Sequence, residues 1–266
     1  MELCEKAIRS GLFGNAKNWR LEVLPTAAST NALARDAGAA GAAEGLVILA
    51  GEQTAGRGRL GRSFFSPGGT GLYMSLLLRP GLPPEKVIRI TTAAAVAVCR
   101  AVEKLTGEIP GIKWVNDIFL HSRKVCGILT EAAFDGQAGL QYAVLGIGIN
   151  VMPPEGGFPQ EIAEIAGSVF PEFSPERREV MAAEVLNCLA EVLRGLADGA
   201  HAEEYRARSL VLGQRVQILG GSGGEAVVTD IDSECRLHLR RDDGSEEILS
   251  TGEISIRLQG KEAVRK

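Results

Sequence analysis

Three short runs hold the residues best suited to chemistry in this 266-residue chain. In the first, Gly56-Arg57-Gly58-Arg59-Leu60-Gly61-Arg62, glycines are interleaved with arginines. Glycines let backbone amides approach a ligand closely, and guanidinium groups present fixed positive charge in a fork that matches carboxylate and phosphate. The second run, Lys113-Trp114-Val115-Asn116-Asp117, sets a lysine at the edge of an apolar stretch, with an Asn-Asp pair at the next turn. In the third, Gly146-Ile147-Gly148-Ile149-Asn150, the glycines of a strand permit close backbone approach and an amide ends it. The first run describes a cradle for anions. Bringing a carboxylate onto a phosphate sets like charges in contact, which is costly at low dielectric unless cations already stand there.

Each run also has a plainer reading. Gly56, Gly58 and Gly61 satisfy G-x-G-x-x-G, but a dinucleotide fingerprint needs a helix at its glycines and an acidic residue about 20 positions on. Here Ser66-Pro67-Gly68-Gly69 and a strand follow, and residues 76–80 contain no acid. A kinase glycine loop also sits between strands, yet no Val-Ala-x-Lys or His-Arg-Asp element follows. An RNA-binding Arg/Gly element would be expected to repeat and to carry more aromatics than Phe64-Phe65. Taken singly, the loop could be a solvated basic turn, Lys113 a solvated lysine, Trp114 core, and Ser29-Thr30-Asn31 a helix cap.

The elements that must position these runs read as α+β. Strands are predicted at 21–24, 46–50, 72–78, 112–114, 118–120, 125–134 and 142–149, with turns at 121–124 and 135–136. The Gly/Arg loop, 51–71, hangs between two of them. Helices are predicted from Ser29 or Thr30 to about 38–41, over 86–105 with Gly107 as its stop, and from Ser174-Pro175 with Met181, Val185, Leu189, Val192 and Leu196 on its apolar face. This is a mainly antiparallel mixed sheet with covering helices. From Gly213 onward five short β-rich pieces (216–219, 226–231, 236–239, 247–249 and 254–256) predict a small β-barrel, so the chain divides near Leu210 into residues 1–210 and 211–266.

Composition narrows the function. A net charge of −4 leaves no broad positive field for a nucleic-acid backbone. The five cysteines form no C-x-x-C and stand outside ligand spacing of His121, His201 and His238, so they read as reduced, buried thiols and no zinc site is expected. The charged N-terminal stretch lacks a signal-peptide core, and no apolar run approaches the roughly 20 residues that span a bilayer. A cytoplasmic protein with no membrane partner is expected.

In order along the chain stand Ser29-Thr30-Asn31, Glu52-Gln53-Thr54-Ala55-Gly56-Arg57-Gly58-Arg59, Gly61-Arg62, Ser66-Pro67, Leu72-Tyr73-Met74-Ser75, Lys113-Trp114-x-Asn116-Asp117, Lys124-x-x-Gly127-Ile128-Leu129-x-Glu131 and Gly146-x-Gly148-Ile149-Asn150. This ordered set resembles the biotin–protein ligase family, and Gly252-Glu253-Ile254-Ser255-x-Arg257 looks like the end of that family's SH3-like domain. The resemblance implies the fold shared with class II aminoacyl-tRNA synthetases and lipoate ligases. It also implies the activity: ATP activates biotin as biotinyl-5'-AMP, Mg²⁺ assisting, and the biotinyl group passes to a lysine of a biotin carboxyl carrier protein.

Residue roles follow from the same resemblance. Ser29, Thr30, Asn31, Gln53, Gly56 and Gly127 fall on the biotin side, where hydroxyl and amide groups would pair with the ureido ring. Arg57, Gly58 and Arg59 match the loop that closes over biotin and phosphate, with Arg62 assisting, and Lys113 matches the lysine at the reacting carboxyl and α-phosphate. Phe64, Asn116, Asn150 and Arg257 fall on the nucleotide side, and Asp117 on the metal side. Phe64 stands where the family often has Trp, and Val115 where it often has Pro. Fewer than 30 residues precede Ser29, so the DNA-binding domain of bifunctional members, and DNA as a partner, are not expected. The sequence leaves a monomer and a homodimer both open. A lipoate or octanoyl ligase of the same fold, or a non-catalytic biotin-binding protein, are the alternatives.

Overall fold

In a computed structural model, which describes residues 2–136, 139–219 and 223–250 together with the backbone of Ser255–Leu258, the chain builds two sheets. The elements run α1 (Glu5–Gly11), β1 (Arg20–Leu24), α2 (Thr30–Ala39), β2 (Leu46–Ala50), β3 (Gly71–Leu78), α3 (Ile88–Thr106), β4 (Gly111–Lys113), β5 (Asp117–Leu120), β6 (Arg123–Asp135), β7 (Gly139–Asn150), α4 (Arg177–Val192) and α5 (Ala202–Ala207). The first seven strands form one sheet in the order β1-β2-β3-β7-β6-β5-β4, antiparallel except where β1 meets β2. Then β8 (Arg215–Leu219), β9 (Glu225–Ile231), β10 (Leu237–Arg240), β11 (Glu246–Leu249) and β12 (Ser255–Leu258) form a second, antiparallel sheet in the order β11-β10-β9-β8-β12. Among the described residues no helix is long and apolar enough to cross a membrane.

The large sheet has two different faces because side chains alternate along a strand. On β3, Leu72, Met74, Leu76 and Leu78 join the main core with Ala93, Ala97, Val98, Val185 and Leu189 of α3 and α4. Leu77 instead joins Ala34 of α2 in a smaller cluster with Ile48, Tyr142 and Val144. One face is therefore an aliphatic core under α3 and α4; α2 covers part of the other. The run of small residues at the centre of α3 lets that 19-residue helix lie close to the sheet, and Gly107, at φ 74°, ends it in the left-handed conformation favoured by glycine.

Several expectations need correction. The turn predicted at 121–124 is the two-residue turn His121-Ser122, both at positive φ, so Arg123 and Lys124 belong to β6. The helix expected from Ser174-Pro175 begins at Arg177, after a turn closed by Arg177 N–H to the Ser174 carbonyl, and Leu196 lies beyond its end. Trp114 lies in the turn after β4, not in the strand. The predicted last strand begins at residue 254, which lies outside the described residues. Two short helices, α1 and α5, were not foreseen: at seven and six residues they are held by tertiary contacts that leave little periodicity to read.

His201, just before α5, is 3% exposed, and its Nε2 lies 2.7 Å from Thr92 Oγ1. Burial, aided by the Arg89 guanidinium and opposed by Glu234, pushes its pKa down to about 4. The folded value lies below the ordinary one of about 6.5, so this group's contribution is present above pH 6.5 and is lost as pH falls toward 4. Urea unfolding is expected to show wild type losing about 2 kcal/mol more than His201→Gln between pH 7.5 and pH 5; parallel slopes would show that His201 is not held neutral.

Candidate active site

Residues directly opposite on neighbouring strands share a face. Lys113 pairs with Asp117, Asp117 with Gly127, Gly127 with Gly148, and Gly148 with Tyr73, so a single row crosses five strands. The first four of these residues floor a hollow on the α2 side of the sheet, lined also by Ser29, Thr30, Asn31, Gln53, Arg57, Gly58, Arg59, Arg62, Phe64 and Asn116. The two arginines of the loop and the lysine of β4 thus face one space. The glycines make that floor low. A Cβ on Gly148 would stand 2.6 Å from the Phe64 ring, and one on Gly127 would stand 3.1 Å from it.

One end of the hollow is a buried polar network. Gln53 Oε1 accepts from Thr30 N–H at 2.8 Å and from Thr30 Oγ1 at 3.1 Å, while Gln53 Nε2 donates to Ser66 Oγ at 3.2 Å. Ser75 Oγ lies 2.8 Å from Thr30 Oγ1 and 2.6 Å from Asn31 Oδ1. Asn31 Nδ2 donates to Glu131 Oε2 at 2.8 Å. Ser29 occupies the N-cap position of α2 without capping it through its side chain, and Thr30 and Asn31 are buried. These residues do more than cap a helix: they hold amide and hydroxyl groups in fixed orientation, as a site for a small polar ring requires. A Cβ on Gly146 would stand 2.0 Å from Asn31 Oδ1, so Asn31 fits only over a glycine.

The other end is cationic. Residues 56–64 fold back on themselves through Phe64 N–H to the Gly56 carbonyl (3.0 Å) and Gly58 N–H to the Arg62 carbonyl (2.7 Å), turning at Leu60 and Gly61, both at positive φ. Arg59 Nη1 donates to Asn116 Oδ1 at 3.1 Å, tying the loop to the β4–β5 turn. Burial holds the Arg59 guanidinium below its ordinary pKa, with Asp117 and Tyr205 opposing the shift and Arg62 adding to it; an arginine stays charged regardless. Asp117 Oδ1 pairs with Lys124 Nζ at 2.7 Å and is the lone carboxylate among the described lining residues. No cluster of three His, Cys, Asp or Glu suited to a metal occurs among the described residues. The donors fit a Mg²⁺ ion carried in on a polyphosphate better than one caged by protein.

Two predicted site residues stand elsewhere, and a third lies outside the described residues. Asn150 Nδ2 donates to the Gly167 carbonyl at 3.0 Å and does not line the hollow. Gly56 also stands outside it, where a Cβ would come within 2.5 Å of the Phe64 carbonyl and of Ser66 Oγ, so its part is to let the loop fold tightly. Arg257 lies on β12, whose side chains are outside the described residues. Sequence reasoning assigned no role to Ser75, Glu131 or Lys124. A serine buried in the leucine-rich run of β3 was the available signal for the first; the turn misread at 121–124 hid the last.

A model of the biotin/lipoate A/B protein ligase family matches residues 23–150, and one of the biotin protein ligase C terminal domain matches residues 211–257. A biotin--[acetyl-CoA-carboxylase] ligase of Mycobacterium tuberculosis is 33% identical over 249 residues, 89% of this chain and 90% of that protein. The bifunctional ligase/repressor BirA of Bacillus subtilis is 39% identical over 168 residues; the match takes in 63% of this chain and about half, 51%, of that relative's length. Among solved structures, the biotin protein ligase from Aquifex aeolicus in complex with biotin and ATP is similar at a TM-score of 0.75 and 25% identity, over 90% of this chain and 99% of that one.

The Gly146 contact predicts a coupling. Gly146→Ala should destabilise the protein by about 1–3 kcal/mol, the usual range for overpacking. The same change should cost much less in an Asn31→Ala background, because the clashing atom is gone. Equal costs in the two backgrounds, measured by urea unfolding, would mean that Asn31 does not rest on Gly146.

Proposed function

The chain belongs to the biotin/lipoate A/B protein ligase family, and from the chemistry of its hollow we propose that it is an ATP-dependent biotin–protein ligase. In this reading it joins biotin to AMP as biotinyl-5'-AMP and then passes the biotinyl group to a lysine of a biotin carboxyl carrier protein. We divide the chain accordingly into a catalytic domain, residues 1–210, and a C-terminal domain, residues 211–266, and assign the reaction to the cytoplasm.

The observation that carries this reading is that Arg57, Arg59 and Lys113, from separate segments, face one hollow whose other end is an amide and hydroxyl network. A carboxylate and a triphosphate repel each other, and cations fixed beforehand remove that barrier without reorganising during the reaction. Thr30, Asn31 and Gln53, with Ser29 beside them, take the ureido ring. Lys113 takes the carboxyl end and the α-phosphate, stabilising the charge that builds as the carboxylate oxygen attacks phosphorus. Arg57 and Arg59 cover the adenylate and keep water from the mixed anhydride. Phe64 and Asn116 take the nucleotide. Asp117 is the carboxylate that would lie nearest a Mg²⁺ brought in with ATP, which would supply further charge neutralisation at the phosphates. In the second step a neutral carrier amine attacks the biotinyl carbonyl and AMP leaves.

The test is pyrophosphate release. Wild type should release pyrophosphate from ATP only when biotin is present, and Lys113→Ala should reduce that rate at least a hundredfold. Lipoate supporting the reaction as well as biotin would overturn the substrate assignment, and Lys113→Ala within a few-fold of wild type would remove that lysine from the mechanism.

A further inference from the structure

Glu131 touches the polar end of the hollow without lining it. It stands on β6 opposite Val144, two positions beyond Leu129, which opposes Gly146. Alternation therefore sets it on the α2 face, next to the glycine on which Asn31 rests. Glu131 Oε2 accepts from Asn31 Nδ2 at 2.8 Å, and its other oxygen lies 3.9 Å from Nη1 of Arg35, one helical turn beyond Asn31. The Leu129 carbonyl accepts from the same Asn31 nitrogen at 3.3 Å.

A carboxylate and a carbonyl can only accept, so together they decide which way the Asn31 amide faces. Its nitrogen turns to β6 and its oxygen to Ser75. The far end of the network is decided in the same way. Thr30 N–H can only donate, so Gln53 shows it an oxygen, at 2.8 Å, and Gln53 Nε2 goes to Ser66 Oγ at 3.2 Å. Between these two amide oxygens stand Ser75 Oγ and Thr30 Oγ1, making three contacts of 2.6, 2.8 and 3.1 Å. Two hydroxyls bring two protons, so three oxygen-to-oxygen contacts share them and the chain is one donor short. An Asn31 amide turned the other way would cure the shortage from within: Nδ2 would donate to Ser75, Ser75 to Thr30 and Thr30 to Gln53. The Glu131 carboxylate forbids that turn, because it would then face an amide oxygen.

We propose that Glu131 is a positioning residue for substrate recognition: by holding the Asn31 amide it keeps the network one donor short, and a ring N–H of biotin makes up the deficit. The inference rests on the ligase reading and deepens it, assigning selection of the ring to a residue that does not touch the ring. A ligand N–H entering at the Thr30–Gln53 contact, the longest of the three, lets Thr30 give its proton to Ser75. A ring with oxygen in place of that N–H leaves the shortage unrelieved and sets lone pairs against lone pairs.

Two measurements on the full chain test this. Neutron diffraction of deuterium-exchanged crystals shows the amide directly, because its nitrogen and oxygen are otherwise told apart only by their partners. In wild type the Asn31 deuterons should face residue 131; in Glu131→Ala they should face Ser75. Deuterons that keep one direction in both proteins overturn the proposal. Calorimetric titration then compares biotin with its two cyclic carbamate analogues, in each of which one ring N–H is an oxygen. Wild type should prefer biotin to the weaker-binding analogue by at least thirtyfold, and Glu131→Ala should cut that preference to under threefold while leaving Mg·ATP affinity within twofold. In an Asn31→Ala background, Glu131→Ala should weaken biotin binding by less than a further twofold. An equal loss for biotin and both analogues, or an undiminished loss in the Asn31→Ala background, would make Glu131 a merely structural residue. Wild type that binds no biotin although its Asn31 deuterons face Glu131 would count against the ligase reading and leave the positioning role standing.

Discussion

The dominant physical constraint on this structure is the charge in its hollow. Arg57, Arg59, Arg62, Lys113 and Lys124 face the space with Asp117 as the lone described carboxylate, five cations to one anion in a chain whose net charge is −4. Two like charges 5 Å apart repel by about 3 kcal/mol at an effective dielectric of 20. The fold must hold that repulsion in place, and each arriving phosphate or carboxylate relieves part of it. The same excess that burdens the empty protein is what makes anion binding favourable there. The sheet provides the rigid support: β3, β6 and β7 are long strands whose opposite face is an aliphatic core, so the cationic face cannot spread without opening that core.

The loop at residues 56–64 handles its share of the charge by folding on itself. Internal backbone hydrogen bonds and left-handed turns at Leu60 and Gly61 give it a defined shape, and the Arg59–Asn116 bond is its tether to the far wall. The loop also meets the sheet through Phe64, whose ring lies over Gly127 and Gly148. A loop with this internal order suits a cover that must exclude water from the hollow. Phe64, between the loop and the glycine floor, gives its apolar side something to rest on.

Much of this was legible in the sequence because period-two alternation is a strong rule. Gly146 and Gly148 are two apart on a strand and so had to share a face, and the Gly/Arg composition of the loop implied an anion before any fold was known. The hydroxyl and amide residues were legible as a set only through their order along the chain; the bonds that join them run through Ser75, a residue that looks like an interruption in an apolar strand. Lys124 was hidden by a local departure from the rule: a bulge at Val125 reverses the face that simple alternation assigns. Asn150 ends its strand as expected, but its amide reaches the 167 carbonyl, and nothing in strand periodicity distinguishes that partner from a ligand. The short helices α1 and α5 owe their existence to packing on α4 and α3, so local sequence carries little sign of them.

The second sheet has a structural consequence for the first. Lys113 is followed at once by a turn whose geometry decides where its own strand ends, and that turn is held from outside. Trp114 Nε1 donates to the Cys235 carbonyl at 2.9 Å, and Tyr205 Oη donates to the Val115 carbonyl at 3.1 Å. Arg89 grips Glu234, the neighbour of Cys235, through two bonds of 3.0 and 2.6 Å, which fixes the turn of the second sheet against the start of α3. Both contacts to the lysine's turn end on main-chain carbonyls. As hydrogen bonds they are therefore indifferent to the side chains at 235 and 115, although both side chains are buried in the core. What they cannot tolerate is a shift of the second sheet, because a moved Cys235 carbonyl would leave a buried indole N–H unpaired, at about 1–3 kcal/mol. The position of this lysine at the β4 edge of the cationic hollow thus depends on a sheet that contributes none of the hollow's described lining.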